Sequence, residues 1–90
     1  MVNEWRKTGR IEVGGCTTII YEPIPKPQHM DISVESRKRP IPHSNRAGTW
    51  DYTSYFVVWD GADVVEKNTL ADAKKAAEEL IRRDAEKWRF

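Results

Sequence analysis

The stretch from 49 to 67, "TWDYTSYFVVWDGADVVEK", constrains this chain most. β-Branched and aromatic residues crowd both sides of Asp60-Gly61, a dipeptide that favours the type I′ turn of a two-residue hairpin. Pairing Trp59 with Ala62 sets Tyr55, Val57, Trp59 and Val64 on one face. Phe56, Val58 and Val65 fall on the other, with Trp50 and Tyr52 upstream. Both faces are therefore partly apolar. Just beyond, the apolar period changes from two to 3.6. Leu70, Ala73, Ala77, Leu80, Ile81 and Trp88 recur at helical spacing, which predicts a helix over 70–88. Thr69 is its N-cap, and Asp72 follows three residues later, close to a capping box. Glu78 with Arg82 and Glu79 with Arg83 stand four apart in the favourable order.

A second hairpin is expected over 5–22, turning at Gly14-Gly15, a pair able to supply the positive φ angles required. Pairing Val13 with Cys16 gathers Ile11, Val13, Cys16, Thr18 and Ile20 on one face, the more apolar and hence the expected core face. Pro23, Pro25 and Pro27 then end the strand in an extended segment. "MDISVES" alternates Met30, Ile32 and Val34 with polar residues and reads as a short edge strand. The fold class is α+β. An antiparallel sheet of about four strands, built from two hairpins with the short edge strand, carries one C-terminal helix on one face. The chain of 90 residues makes a single domain, 1–90.

Between the two regions lies "SRKRPIPHSNRAGTW", with four basic residues, two prolines and no strand or helical period. It reads as a proline-stiffened loop over 36–46. Arg37, Lys38, Arg39, His43 and Arg46, beside Asn45, suit a phosphate backbone or an acidic protein surface. Trp50, Tyr52, Tyr55 and Trp59 follow, adding stacking or anchoring groups. The competing reading is a solvated loop whose arginines pair with Asp31 and Glu35. Charge is unevenly placed: residues 1–50 hold eight Lys/Arg against five Asp/Glu, and residues 51–90 seven against nine. Such asymmetry polarises a surface.

Other chemistry is thinly represented. Cys16 with His29 or His43 makes a nucleophile–base pair only on paper, since no third group is placed to orient it. On the expected core face Cys16 acts as a small buried hydrophobe. One cysteine and two scattered histidines lack zinc spacing, and no Gly-rich stretch has phosphate-loop spacing, so no catalytic residue, metal or cofactor is expected. No apolar run approaches the roughly 20 residues of a membrane span, and "MVNEWRKTGR" has no apolar signal core. With a lone cysteine, these features imply an intracellular, cytoplasmic protein with no membrane partner and no small-molecule substrate. Trp88 and Phe90 either close the core or anchor a partner.

The segment "YFVVWDG…VVEKNTLADAKKAAEEL" resembles the endings of several small phage-encoded accessory proteins, including some anti-CRISPR proteins. It is also similar to the sheet-and-helix part of AP2-type DNA-binding domains, and to the last strand and helix of double-stranded-RNA-binding domains. The RNA-binding family grips phosphate with lysines at the helix start, where this chain has Leu70, Ala71 and Asp72. An AP2-type sheet displays arginines and tryptophans on its exposed face. Here Trp50, Trp59 and Tyr55 lie in the sheet, while the arginines fall in the loop. The first resemblance implies a non-catalytic protein that binds and modulates a host protein or nucleoprotein complex. Direct nucleic-acid binding through residues 36–46 and the neighbouring aromatics stands as the alternative.

Overall fold

The computed structural model describes residues 2–28, 30–42 and 48–87. Five strands, β1 (Glu4–Val13), β2 (Cys16–Ile24), β3 (Ile32–Pro42), β4 (Thr49–Trp59) and β5 (Ala62–Lys67), precede one helix, α1 (Leu70–Lys87). All neighbours pair antiparallel in the order β1-β2-β3-β4-β5, a meander. The α+β class is as expected, with one strand more than four. The difference lies in β3. The segment read as a short edge strand is the central strand of the sheet and runs 11 residues.

Both tight turns form where the glycines place them. Gly14 and Gly15 have φ of 59° and 81°, and Asp60 and Gly61 have 51° and 84°, the doubly positive signature of type I′. The Asp60 turn is also tied to the start of β3. The Asp60 amide donates to the Asp31 carbonyl at 2.7 Å, and the Asp31 amide donates to Asp60 Oδ1 at 3.1 Å.

Helix α1 is capped as its sequence predicts: the Asp72 amide donates to Thr69 Oγ1 at 3.1 Å. Ala73 and Ala77 are fully buried, and their small side chains bring the helix close to Ile32, Val34 and Val57, with Met30 closing the cluster. Leu70, Leu80 and Ile81 pack around this centre half-buried. Arg83 pairs with Glu79 as expected, whereas Arg82 bonds Glu79 and Glu86 instead of Glu78.

Two face assignments are reversed. On the first hairpin Tyr21, not Ile20, packs against the core, while Ile11, Val13 and Cys16 are exposed. A bulge at Thr8, between the Lys7 and Gly9 pairings, swaps the alternation along β1. On the second hairpin a register shift on β5 pairs Val65 with Val57 and puts Val65 in the core in place of Val64, which is 46% exposed.

β2 ends at Ile24, directly before Pro25, as expected, but three other prolines lie inside strands. Pro23 lies inside β2 opposite Trp5 and is buried. Pro40 and Pro42 lie inside β3 opposite Asp51 and Thr49. Each sits past the last rung of one ladder: β2–β3 pairing spans only Thr17↔Lys38 to Tyr21↔Val34. Such a position has one bonded neighbour, as on a sheet edge, where proline is tolerated.

The molecule is long, 59 Å by 21 Å by 21 Å, with a radius of gyration of 15.3 Å. A compact chain of this length would have about 12 Å. The elongation is the sheet itself. The core occupies the end near Met30, and the other end, with the β1–β2 turn, Lys38–Pro40 and Trp50–Asp51, extends past it exposed.

Candidate functional site

The helix covers one face of the sheet. Alternation along the strands gives the composition of the other. On β4, Tyr55, Val57 and Trp59 turn to the helix, so Trp50, Tyr52, Ser54, Phe56 and Val58 line the open face. On β3, Ile32 and Val34 turn to the helix, so Ser33, Glu35, Arg37, Arg39 and Ile41 line the open face. The segment 36–42 is thus strand, not loop. Its basic residues are sorted by side-chain period, with Arg37 and Arg39 on the open face and Lys38 on the other.

These side chains form a ladder of arginine on aromatic. The Arg37 guanidinium lies 4.2 Å from the centroid of Phe56, and that of Arg39 lies 5.6 Å from Tyr52. Trp50 meets Tyr52 edge-on at 6.3 Å. Ser54, with Arg37, Arg39, Tyr52, Phe56 and Glu66, lines a shallow cleft between the two stacks.

The two arginines are electrostatically different. Arg37 donates at 2.7 Å to each oxygen of Asp63 and at 2.9 and 3.1 Å to Glu35. This forked contact holds the Asp63 carboxyl below its ordinary value, chiefly through the hydrogen bonds from Arg37. The Arg37 charge is therefore spent within the sheet. Arg39 has no carboxylate partner among the described residues. Lys38, on the helix side, reaches Asp51 at 3.3 Å.

Around Arg39 the surface is apolar. Ile11, Val13 and Trp50 are 52%, 71% and 48% exposed. The register puts Ile11 on the rung of Thr18, Arg37 and Ser54, and Val13 opposite Cys16, one step further out. The inner half of the same face is acidic: Glu22, Asp31 and Glu35 line a groove with Ser33, Ile20 and Val58. A hydrogen bond from Lys26, and then one from Thr8, lowers the Glu22 carboxyl below its usual value.

Of the residues singled out in the sequence, Arg37, Arg39, Trp50 and Tyr52 come together on this face. Tyr55 and Trp59 pack against the core on the helix side, and Lys38 points away as well. His29, His43, Asn45, Arg46, Trp88 and Phe90 lie outside the described residues. Phe56 stands on the face its alternation along β4 gives it, whereas Ile11 and Val13, expected in the core, are turned to the surface by the bulge on β1, which composition does not reveal. Cys16 is exposed, not buried. Among the described residues, no three His, Cys, Asp or Glu gather to hold a metal ion, and no helix is long and apolar enough to cross a membrane. No family model, curated protein or solved structure matches the chain.

Proposed function

We propose that this is a small non-catalytic binding protein, a phage-type accessory protein that docks on a host protein or nucleoprotein complex through the outer half of its open sheet face. The observation that carries the reading is the exposure of Ile11, Val13 and Trp50 beside Arg39, whose charge has no described partner. Aromatic and arginine anchors surrounded by aliphatic surface suit a protein interface, where desolvated hot spots supply affinity. Phosphate binding draws on free cations, and on this face Arg37 is already neutralised by Asp63 and Glu35. The phage-type origin rests on the resemblance of residues 55–80 alone.

Direct nucleic-acid binding is the second reading. The stack of Arg39 on Tyr52 with Trp50 alongside favours it, since sequence-tolerant single-strand binders use such platforms. A triple variant, Arg37, Lys38 and Arg39→Ala, separates the two. It is compared with wild type for binding to single-stranded and duplex DNA by fluorescence anisotropy, and for capture from host lysate. The preferred reading predicts no saturable DNA binding by wild type and loss of the captured protein in the variant. DNA affinity falling with salt at a log–log slope of about −0.7 to −0.9 per phosphate, and lost in the variant, supports the second.

A further inference from the structure

We infer that a second copy of this chain covers the open face in solution, forming a two-fold, face-to-face sandwich that masks the docking surface until a partner displaces it. The inference rests on the reading of this face as the binding surface and concerns its regulation.

The argument begins with charge placement. The face is polarised along the strands. Its inner half carries Glu22, Asp31, Glu35, Asp63 and Glu66, of which Asp31 and Glu66 have no cation partner among the described residues. Its outer half carries Arg39, the one cation of this ladder without a described carboxylate. A two-fold axis running across the strands lays the outer half of each copy over the inner half of the other. This satisfies both ends at once, as an isologous interface requires.

The apolar groups follow the same symmetry. With the axis near the Arg37–Ser54 rung, Arg39 of each copy meets the rung of Glu35, Phe56 and Glu66 in the other. Tyr52 and Trp50 then lie over the second copy's Phe56 and Val58. Two sheets packed this way interdigitate about 10 Å apart with strands offset by about 30°. Arg37 stands near the axis against its own image, a contact its pairing with Asp63 and Glu35 makes tolerable.

The area suits a displaceable contact. With the axis at the Arg37–Ser54 rung, β3 and β4 overlap their images over about 34 Å, β1 and β2 over about 14 Å, and the short β5 lies to one side of the axis. Both copies together bury about 900 Å², the size of a weak, reversible interface. On the opposite face α1 covers the core end, and on the outer part that it leaves open Lys38 already pairs with Asp51 and Arg10 with Glu12.

Sedimentation velocity of the full chain across a concentration series is the test, with circular dichroism confirming that each variant is folded. Wild type should sediment as a monomer–dimer equilibrium. Arg39→Glu and, independently, Glu66→Arg should each weaken association at least tenfold. The double variant Arg39→Glu/Glu66→Arg should recover it, while Arg83→Glu on the helix should leave it unchanged. A monomer at every concentration overturns the inference, as does a dimer that both open-face reversals leave intact or that Arg83→Glu dissolves. Glu66→Arg keeps the test decisive if Arg39→Glu fails to fold. No foreign partner enters the measurement. A monomeric chain that still captures a host protein through this face refutes the sandwich alone, and a dimer that captures nothing refutes the docking reading alone.

Discussion

Arg37 on β3 and Asp63 on β5 join through two hydrogen bonds of 2.7 Å that pass over the ring of Phe56 on the strand between. The contact clamps three strands from the open side, where no helix does so. It also turns a basic residue into structure, leaving Arg39 as the group available to a partner.

The clamp should be pH-dependent. The Asp63 carboxyl is held below its unfolded value by Arg37, so the contribution is present above that unfolded value, near pH 4. It is lost as pH falls through the lowered folded value. Asp63 is half exposed, so solvent screening limits the contribution to about 1 kcal/mol. Thermal melts of wild type and Asp63→Asn should differ by a few degrees at pH 7 and converge as the carboxyl protonates in acid. A gap that stays constant as pH falls would assign the loss to something other than ionisation.

The core should be sensitive at its centre and forgiving at its rim. Val34 and Val57 are fully buried, and Val34→Ala should cost about 2–3 kcal/mol by urea denaturation. Leu80 is half-buried, and Leu80→Ala should cost less, about 1–2 kcal/mol. Equal losses would mean that the helix is seated more deeply than its exposure shows.

Much of this was legible where structure is local. The Asp60-Gly61 and Gly14-Gly15 turns, the Thr69 cap and the Ala73, Ala77 stripe depend on neighbours a few residues away. The central place of β3 was not legible. Its apolar alternation stops at Val34, and beyond that point pairing with β4, not side-chain period, keeps Ser36–Pro42 extended. Pro40 and Pro42 read as breakers because proline is unwelcome in a central strand. They are accommodated because β2 has already turned away at Gly14-Gly15, leaving an edge. The reversed face of the first hairpin has a similar origin. The more apolar side reads as the core, but the bulge at Thr8 reverses the alternation along β1, and Ile11 and Val13 stand exposed on the face opposite the helix.

The Asp60 turn should discriminate sharply between substitutions. Asp60 adopts φ of 51° and accepts from the Asp31 amide. Asn tolerates that backbone and offers an oxygen in the same place, so Asp60→Asn should be nearly neutral. Ala does neither, and Asp60→Ala should cost about 1–3 kcal/mol. Matching melts for the two variants would refute the hydrogen bond's role.

Cys16 should be modified without unfolding. Its side chain is exposed at the β1–β2 turn, on the outer end of the open face. In protein dilute enough to be monomeric, one equivalent of a thiol reagent should add at the same rate with and without urea below the unfolding transition. A rate in the monomer that rises with urea would show that Cys16 is protected by the fold.

The central claim is that the outer open face is the working surface. It is tested most directly by quantitative capture from host lysate with four forms of the intact protein: wild type, Trp50→Ala, Arg39→Glu and Arg83→Glu. The account predicts that a protein bound by wild type and by Arg83→Glu is reduced at least tenfold with Trp50→Ala and with Arg39→Glu. Retention by both open-face variants, or loss only when the helix residue Arg83 is changed, would contradict it.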